Sequence, residues 1–279
     1  MAGMLYLCAT PIGNLEDITL RVIRTLKEVD LIAAEDTRNT IKLLNHFEIK
    51  TPMTSYHEYN KIDKAAYLVQ KMTDGSNIAL VTDAGTPGIS DPGEEIVKQA
   101  YAAGIPVTSL PGACACVTAL TLSGLPTRRF AFEAFLPHDK KERKNILESI
   151  KTETRTIILY EAPHHLKATL KELYDALGER SITICRELTK IHETADQTTL
   201  SSAISYYQEI TPKGEYVLVI EGISKEELNA KKQEKWETLT IPEHMEQYLS
   251  KGLSKKDAMK EVAKDRGVPK REIYQQLLL

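Results

Sequence analysis

Residues 77–93 are the most informative stretch for the fold of this chain, and they read Asn77-Ile-Ala-Leu-Val-Thr-Asp-Ala-Gly-Thr-Pro-Gly-Ile-Ser-Asp-Pro-Gly93. The opening residues are an apolar run of strand length, residues 81–93 hold three glycines and two prolines, and a helical pattern follows over residues 94–103. In open α/β sheets, ligands bind at the loops that follow the carboxyl ends of strands. The stretch therefore predicts a strand, a ligand-binding loop that carries Asp83 and Asp91, and a helix.

The same strand-and-helix unit recurs through the first half of the chain. The expected pairs are Leu5–Ala9 with Thr19–Glu28, Leu31–Ala34 with Asn39–Phe47, Ile78–Val81 with Glu94–Ala103, and Pro106–Leu110 with Ala113–Leu122. Near-continuous apolar strands that alternate with helices are typical of a parallel sheet covered on both faces. Residues 1–123 are therefore predicted to form an α/β domain.

The segment Ser123-Gly-Leu-Pro-Thr127 interrupts this rhythm with small residues and a proline, which predicts a domain boundary. A second α/β domain of mixed strand direction is expected over residues 128–222. Its predicted strands are Phe130–Phe135, Thr156–Tyr160, Ile182–Cys185 and Tyr216–Ile220, and its predicted helices are Asp139–Lys151 and Leu166–Leu177. The predicted fold class is two α/β domains with a cleft between them, followed by a small helical tail.

The tail, residues 223–279, is charged and helical, with expected helices near Glu243–Leu249, Lys255–Lys264 and Pro269–Leu278. Over residues 251–271 of the tail, basic residues outnumber the acids around a short apolar pattern; they are Lys251, Lys255, Lys256, Lys260, Lys264, Arg266, Lys270 and Arg271. Two interpretations remain open, a solvated helical appendage and a small helix-turn-helix-like contact for RNA.

Composition limits the possible functions. The formal charge of -3 gives no global electrostatic reason to bind nucleic acid, so any such surface must be local. Residues 1–9 lack the basic start of a signal peptide, and no apolar stretch is long enough to span a bilayer, so we expect a cytoplasmic protein without a membrane segment. The cysteines lie in apolar surroundings and are predicted to be reduced core residues, without a metal site; they are Cys8, Cys114, Cys116 and Cys185.

Polar loops follow several of the predicted strands in the first half. Ala34-Glu-Asp-Thr-Arg38 has three ionisable groups, although Asp36 could cap the next helix and Glu35 with Arg38 could form a surface pair. Similar loops cover residues 9–19, 55–60 and 110–115. Because four or five such loops gather at one edge of a sheet, they favour a binding cleft.

Two strand ends in the second half carry charged residues. Tyr160-Glu-Ala-Pro-His-His165 ends the strongest strand, and Cys185-Arg-Glu-Leu-Thr-Lys-Ile-His192 ends the next. The histidines at 164, 165 and 192 are interpreted as structural residues. Glu161, Arg186 and Glu187 must instead be solvated, paired or used, because an isolated charge at a domain interface is costly.

These motifs together resemble one family. The combination of residues 9–14, 34–38, 81–93, 110–112, 160–164 and 186–192 is similar to the bacterial small-subunit ribosomal RNA ribose 2′-O-methyltransferases that act on a cytidine. These belong to the tetrapyrrole-methylase-like superfamily of S-adenosylmethionine-dependent transferases. The match covers almost the whole chain in order. It implies a two-domain α/β protein, usually a homodimer, with S-adenosylmethionine folded into the cleft between the domains.

The resemblance also implies which residues contact the methyl donor. In the first domain they are Pro11, Ile12, Asp83, Thr86, Gly88, Ile89, Ala115 and Cys116. The second domain is expected to add Tyr160 and Val217, mainly through backbone and apolar contacts.

The chemistry implied is an in-line displacement, for which the protein must align the reacting atoms and accept the hydroxyl proton. Candidate proton acceptors are Asp36, His57 and Glu161, and Arg38 and Arg186 are candidates for holding phosphate or the hydroxyl oxygen. The expected substrate is RNA in an assembled small ribosomal subunit, met by a basic strip of Lys140, Lys141, Arg143 and Lys144 together with the tail. Two alternatives stay open: a methyltransferase of this fold for a tetrapyrrole or a protein side chain, and a non-catalytic RNA-binding module.

Overall fold

The computed structural model describes residues 2–237 and 239–277, without the side chains of residues 231–235 and 237. The chain divides into two compact units. The larger comprises Met1–Ile150 and Arg155–Glu221, and the smaller comprises Lys151–Thr154 and Gly222–Leu279. The predicted boundary at residues 123–128 thus lies between two sheets of a single unit.

The first sheet is entirely parallel and has the strand order β3-β2-β4-β1-β5. Its strands are β1 (Leu5–Cys8), β2 (Leu31–Ala34), β3 (Met53–Ser55), β4 (Ile78–Val81) and β5 (Val107–Leu110). The helices of this half are α1 (Leu20–Glu28), α2 (Thr37–His46), α3 (Lys61–Thr73), α4 (Gly93–Ala102) and α5 (Ala115–Leu122), with a short 3-10 helix at Leu15–Asp17. The predicted parallel α/β arrangement is confirmed.

The central strand β4 shows why these residues form such a sheet. All four of its residues are buried, and they alternate between two cores. Ile78 and Leu80 join a cluster with residues of α3 and α4, whereas Ala79 and Val81 join one with residues of α1 and α2. Successive side chains of a strand point to opposite faces, so a strand covered on both faces is apolar throughout.

The second sheet has the order β6-β7-β10-β8-β9 and mixed direction, as predicted. Only β6 and β7 pair in parallel, and the other neighbours are antiparallel. The strands are β6 (Phe130–Phe135), β7 (Thr156–Glu161), β8 (Ser181–Arg186), β9 (Thr194–Thr199) and β10 (Tyr216–Ile220), and the helices are α6 (Lys140–Ile150), α7 (Leu166–Leu177) and α8 (Leu200–Glu209). Strand β9 was not predicted, because this edge strand is polar and none of its residues is fully buried.

Helix α5 packs on the second sheet, although it follows the last strand of the first. Its residues Cys116, Ala119 and Leu120 form a cluster with Ile158 and Val217 of that sheet. The opposite face is covered by α6, α7 and α8. The loop before α5 therefore runs from the carboxyl edge of the first sheet to the second sheet.

The smaller unit is helical, with α9 (Lys225–Glu237), α10 (Ile241–Leu249), α11 (Lys255–Asp265) and α12 (Lys270–Gln276). A small core holds it together, formed by Ile241, Met245, Ala258, Val262, Ala263 and Ile273. Thr240 and Glu243 form a capping box at α10, and Ser254 caps α11. The predicted helix end at Leu278 lies outside the described residues. In the part of the chain that is described, none of the helices has the length and apolar character needed to cross a bilayer.

Candidate active site

A cavity of about 380 Å³ lies where the carboxyl-end loops of the first sheet meet the ends of β7 and β10. Seven of the ten residues that the resemblance assigns to the methyl donor line it: Ile12, Asp83, Thr86, Ile89, Ala115, Tyr160 and Val217. Of the candidate catalytic residues, only Glu161 lines it. The structure thus brings together residues that are far apart in the chain.

The loop of residues 81–93 is held in shape by Asp91. Its carboxylate accepts hydrogen bonds from the backbone N–H groups of Gly88 (2.8 Å), Ile89 (3.2 Å) and Gly93 (2.8 Å). Gly85 and Gly88 have φ values of 87° and 86°, which side-chain-bearing residues rarely adopt. Asp91 is therefore a turn and helix-start residue. Gly88 does not line the cavity but supports the turn beside it.

The first loop is joined to this turn by backbone hydrogen bonds. Thr10 N–H donates to the Gly85 carbonyl at 2.9 Å, and Gly85 N–H donates to the Thr10 carbonyl at 3.0 Å. A Cβ added at Gly85 would come within 3.3 Å of the Ile12 side chain. Pro11 precedes Ile12 and does not itself line the cavity. The two loops therefore form one wall of the cavity, joined through their backbones.

Asp83 and Glu35 form a polar corner of the cavity. Thr82 Oγ1 donates to Glu35 Oε2 at 2.5 Å, and the Asp83 carboxylate accepts from Asp36 N–H (3.2 Å) and Asn39 Nδ2 (3.1 Å). Burial raises the pKa of Asp83, and these hydrogen bonds oppose that effect. Glu35 lines the cavity although it is not among the candidate site residues, and its position directly after β2 is the sequence signal that points to it.

Asp36 and Arg38 do not line the cavity. Asp36 Oδ1 accepts from Arg38 N–H at 2.8 Å and so caps α2, while Arg38 Nη2 contacts Asp36 Oδ2 at 2.6 Å. The hydrogen bonds from Arg38 lower the pKa of Asp36 to about 2. These contacts favour the helix-cap interpretation over proton acceptance. The alternative surface pair of Glu35 with Arg38 is wrong, because Arg38 pairs with Asp36.

His57 also lies outside the cavity lining. Its backbone N–H donates to Asn60 Oδ1 at 2.8 Å, and its ring Nε2 is 3.4 Å from Asn60 Nδ2. Ring atom Nδ1 is buried and has no hydrogen-bond partner within the described residues. The neighbouring Tyr56 hydroxyl donates to the Pro92 carbonyl at 2.8 Å and accepts from Ile96 N–H at 3.1 Å. This segment therefore supports the end of the 81–93 loop.

Glu161 is the buried carboxylate of the second wall. Only 6% of it is exposed. It accepts hydrogen bonds from Ala162 N–H at 2.8 Å and from the Thr169 hydroxyl. Thr169 in turn accepts from Arg143 Nη2 at 2.7 Å, and Arg143 Nε pairs with Glu172 at 2.6 Å. The placement of Arg143 in a solvent-facing basic strip is thus wrong, because its guanidinium is bound within the second half of the larger unit.

Arg186 ends β8 and does not line the cavity. Its Nη2 donates to the His192 carbonyl at 3.5 Å, whereas its Nε is buried and, among the described residues, lacks a partner. Glu187 is paired with Lys190 at 2.9 Å and accepts from Glu215 N–H at 3.0 Å. Of these strand-end charges, Glu187 is satisfied by pairing and Arg186 only in part.

Tyr160 connects the second wall to the start of α5. Its hydroxyl accepts from Cys116 N–H at 3.1 Å, and its ring packs edge-on against Phe132 and Phe135 at 4.9 and 5.5 Å between centroids. Burial raises the pKa of Tyr160, so the hydroxyl stays protonated. The Cys116 side chain is buried and does not line the cavity. Cys116 is connected to the lining by the hydrogen bond from its backbone N–H to Tyr160.

The lining suits a ligand that combines apolar and polar groups. Its volume lies within the roughly 300–1,000 Å³ of small-molecule sites. Apolar side chains form most of the walls, and five carboxylates line the cavity: Glu35, Asp83, Asp91, Glu161 and Glu215. Asp91 is already bound to backbone N–H groups and Glu215 to Lys190, which leaves the other three facing a ligand. Carboxylates accept hydrogen bonds from hydroxyl and amino groups and favour a nearby positive charge. S-adenosylmethionine, with a ribose, an amine and a sulfonium, fits this donor set.

Comparison with known proteins identifies close relatives over nearly the full chain. The "Ribosomal RNA small subunit methyltransferase I" of Halalkalibacterium halodurans is 52% identical over 276 residues, which cover 98% of this chain and 93% of that protein. The protein of the same name from Bacillus subtilis is 52% identical over 272 residues, again covering 98% and 93%.

Solved structures of lower identity share the fold. A diphthine synthase aligns with a TM-score of 0.63 at 13% identity, covering 78% of this chain and 90% of that one. A uroporphyrin-III C-methyltransferase from Thermus thermophilus complexed with S-adenyl homocysteine aligns with a TM-score of 0.53 at 20% identity, covering 77% and 97%. A family model described as Tetrapyrrole (Corrin/Porphyrin) Methylases matches residues 4–204. The resemblance seen in the motifs is therefore confirmed, and the chain belongs to the tetrapyrrole methylase family.

Proposed function

We propose that this chain is an S-adenosylmethionine-dependent methyltransferase that methylates the ribose 2′-hydroxyl of a cytidine in small-subunit ribosomal RNA. The observation that carries the proposal is the cavity into which the 81–93 loop and the buried Glu161 converge, in a chain half identical to proteins named for small-subunit ribosomal RNA methylation. When bound, the methyl donor supplies a sulfonium methyl group and its leaving group.

The first-sheet loops would hold the donor. Asp83 is held by hydrogen bonds from Asp36 and Asn39 at the start of α2. Among the described residues no arginine or lysine donates to it, so its carboxylate can face hydroxyl or amino groups of a ligand. Thr86 is fixed by the hydrogen bond of its hydroxyl to the Ala113 carbonyl at 2.9 Å. Such bonds keep the wall rigid before a ligand binds, which favours alignment of the reacting atoms.

Glu161 is the best placed of the three candidate proton acceptors. It lines the cavity, and its hydrogen bonds come from uncharged groups. Asp36 is a poorer base, because its hydrogen bonds with Arg38 lower its pKa to about 2 and so weaken its affinity for a proton. His57 would reach a substrate only from outside the described cavity. Arg38, whose side chain is 88% exposed, and Arg186 would hold phosphate groups of the RNA.

The substrate is proposed to be RNA in an assembled small subunit. Lys140, Lys141 and Lys144 are exposed at the start of α6 and offer a local basic surface on an acidic chain. A ribose within folded RNA is recognised through shape and backbone contacts, which only the assembled particle presents fully. Equal activity on a short naked oligonucleotide would contradict this. The family resemblance further supports a cytoplasmic location and a homodimer. Sedimentation of the purified protein would test whether it is a dimer.

The decisive experiment is single-turnover methylation of purified, undermethylated small subunits, with the product nucleoside identified by mass spectrometry. We expect Glu161→Gln to slow transfer by about 10²-fold or more, as for loss of a general base. Glu209→Gln, an exposed acid at the end of α8, is the matched control and should transfer normally. Asp36→Asn and His57→Ala should be slowed less.

Three outcomes would refute parts of this proposal. Unchanged transfer rates in all three site variants would show that none of Glu161, Asp36 and His57 accepts the hydroxyl proton. Methylation of a base, a tetrapyrrole or a protein in place of ribose would replace the substrate. Binding of subunits without any transfer would indicate a non-catalytic RNA-binding module.

A further inference from the structure

The described part of the chain holds its four cysteines in two different environments. Cys8 and Cys185 are fully buried in separate cores, and burial raises the pKa of each thiol to about 12. Cys114 and Cys116 lie on either side of the first residue of α5, with their Sγ atoms 3.4 Å apart. A thiol pair of this kind does not follow from the methyl-transfer chemistry.

The two sulfur atoms of the pair differ in access and protonation. Cys114 is half-buried and lines the cavity, whereas only 4% of Cys116 is exposed. The hydrogen-bond contact with the Cys116 thiol, with help from backbone N–H groups of the first turn of α5, lowers the pKa of the Cys114 thiol below its ordinary value. The same hydrogen bond and burial raise the pKa of Cys116. The accessible sulfur is therefore the one that loses its proton more readily, and the buried sulfur lies 3.4 Å behind it.

We propose that Cys114 and Cys116 are an oxidisable thiol pair, which a hydroperoxide converts into a disulfide that closes the methyl-donor site. The Cys114 thiolate attacks a peroxide oxygen, the O–O bond breaks, and the departing alkoxide takes a proton and leaves as an alcohol. Cys114 is then a sulfenic acid. The Cys116 sulfur attacks the Cys114 sulfur, the S–S bond forms, the S–O bond breaks, and hydroxide leaves as water with the Cys116 proton. The two thiols lose two electrons, which reduce the hydroperoxide to alcohol and water.

The first turn of α5 would transmit this bond to the cavity. Cys116 N–H donates to the Tyr160 hydroxyl, and the carbonyl of the preceding Ala113 accepts from Thr86. Pulling the two sulfurs into bonding distance shifts Ala115 between them, and with it one wall of the cavity. This consequence for the donor rests on the proposed function, whereas formation of the disulfide does not.

The test is peptide mapping of the full-length reduced protein after exposure to hydrogen peroxide and alkylation of the remaining thiols. Trypsin releases residues 99–128 as one peptide, which holds both cysteines of the pair and no others. We expect that peptide to lose two hydrogens and to escape alkylation, and dithiothreitol to restore both thiols. Cys8 and Cys185 should remain thiols. Cys114→Ser should abolish the disulfide, whereas Cys185→Ser should leave it intact.

Calorimetry with S-adenosylmethionine on the same samples tests the second half of the proposal. We expect oxidation to weaken binding by at least about tenfold and reduction to restore it. Two alkylated cysteines in peptide 99–128 after peroxide treatment would overturn the thiol pair. A disulfide that leaves the affinity unchanged would overturn closure of the site. Failure of the reduced protein to bind the donor would instead count against the proposed function, and the disulfide readout would still stand.

Discussion

At the scale of single residues, one carboxylate decides the shape of the candidate donor loop. Asp91 accepts from the backbone N–H groups of Gly88 and Ile89 in the turn and of Gly93 at the start of α4, none of which has a partner within a sheet or helix. The motif showed only that an acid follows a glycine-rich run. Glu161 likewise accepts a backbone hydrogen bond, from Ala162 in the second wall. Because Glu161 also lines the cavity, it can contact a ligand as well.

Asp91→Ala should therefore destabilise the protein as well as weaken donor binding. The unpaired N–H groups predict a loss of about 1–3 kcal/mol in the free energy of unfolding. Urea denaturation measures this loss, and calorimetry measures binding. Asp175→Ala, which removes an exposed acid from α7, should change stability by less than about 0.5 kcal/mol. Normal stability of Asp91→Ala would show that the loop keeps its shape without this side chain.

At the scale of secondary structure, α5 is the helix that connects the two sheets. It leaves the first sheet after β5 and packs on the second, and its first-turn N–H at Cys116 is bound by Tyr160 of β7. The first N–H groups of a helix lack partners within the helix, so this contact satisfies one of them. Tyr160 also lines the cavity. A change at Tyr160 is therefore expected to affect both the stability of the fold and the shape of the cavity.

Tyr160→Phe removes that acceptor and keeps the ring. We expect a loss of about 0.5–1.5 kcal/mol in the free energy of unfolding, the usual contribution of one hydrogen bond, together with weaker binding of S-adenosylmethionine. The matched control is Tyr174→Phe, because Tyr174 is partly exposed on α7. Denaturation and calorimetry of both variants provide the comparison. Equal effects of the two substitutions would argue against a special role for the Tyr160 hydroxyl.

At the scale of the whole molecule, the chain has two units with different cores, and the smaller one carries a buried histidine. His244 Nε2 lies 3.2 Å from Asp265, its Nδ1 accepts from Arg266 at 3.2 Å, and its ring stacks on Trp236 at 3.9 Å. Tyr248 also bonds Asp265. Acceptance from Arg266 requires an unprotonated Nδ1, so the network holds the neutral ring.

The smaller unit should consequently lose stability in mild acid. Burial, opposed in part by Asp265, lowers the pKa of His244 below its ordinary 6.5, so the unfolded state binds the proton more readily than the folded state. The stabilising effect is present above pH 6.5 and is lost as the pH falls through the lowered folded pKa. Trp236 is the single tryptophan of the chain, and its fluorescence during urea unfolding reports on this unit. We expect an earlier transition at pH 5.5 than at pH 7.5.

A variant separates His244 from other titrating groups. His244→Gln should be less stable at pH 7.5 but should show much less change between the two pH values. His46→Gln, an exposed histidine of α2, should behave like the unchanged protein. An identical pH response in His244→Gln would assign the effect to other residues.

The sequence by itself determined the local structure of this protein. Buried strands such as β4 are apolar throughout, helices have an apolar face, and turns need glycine, proline or aspartate, so most elements are marked in their own residues. The polar edge strand β9 is not. Motifs kept in chain order were also enough to identify the family. Helix α3 went unassigned, although its buried Ala65, Leu68 and Met72 have helical spacing.

Only the tertiary structure decided which polar residues serve the cavity and which serve the fold. Asp36 and Glu161 both follow strands, yet Asp36 caps a helix and Glu161 faces the cavity. Arg143 looked like a surface charge and is bound to Glu172, 29 positions away. Spacing along the chain records which face of an element a residue occupies. It does not record what that face meets, because contacts between distant elements depend on how the sheets and α5 pack together.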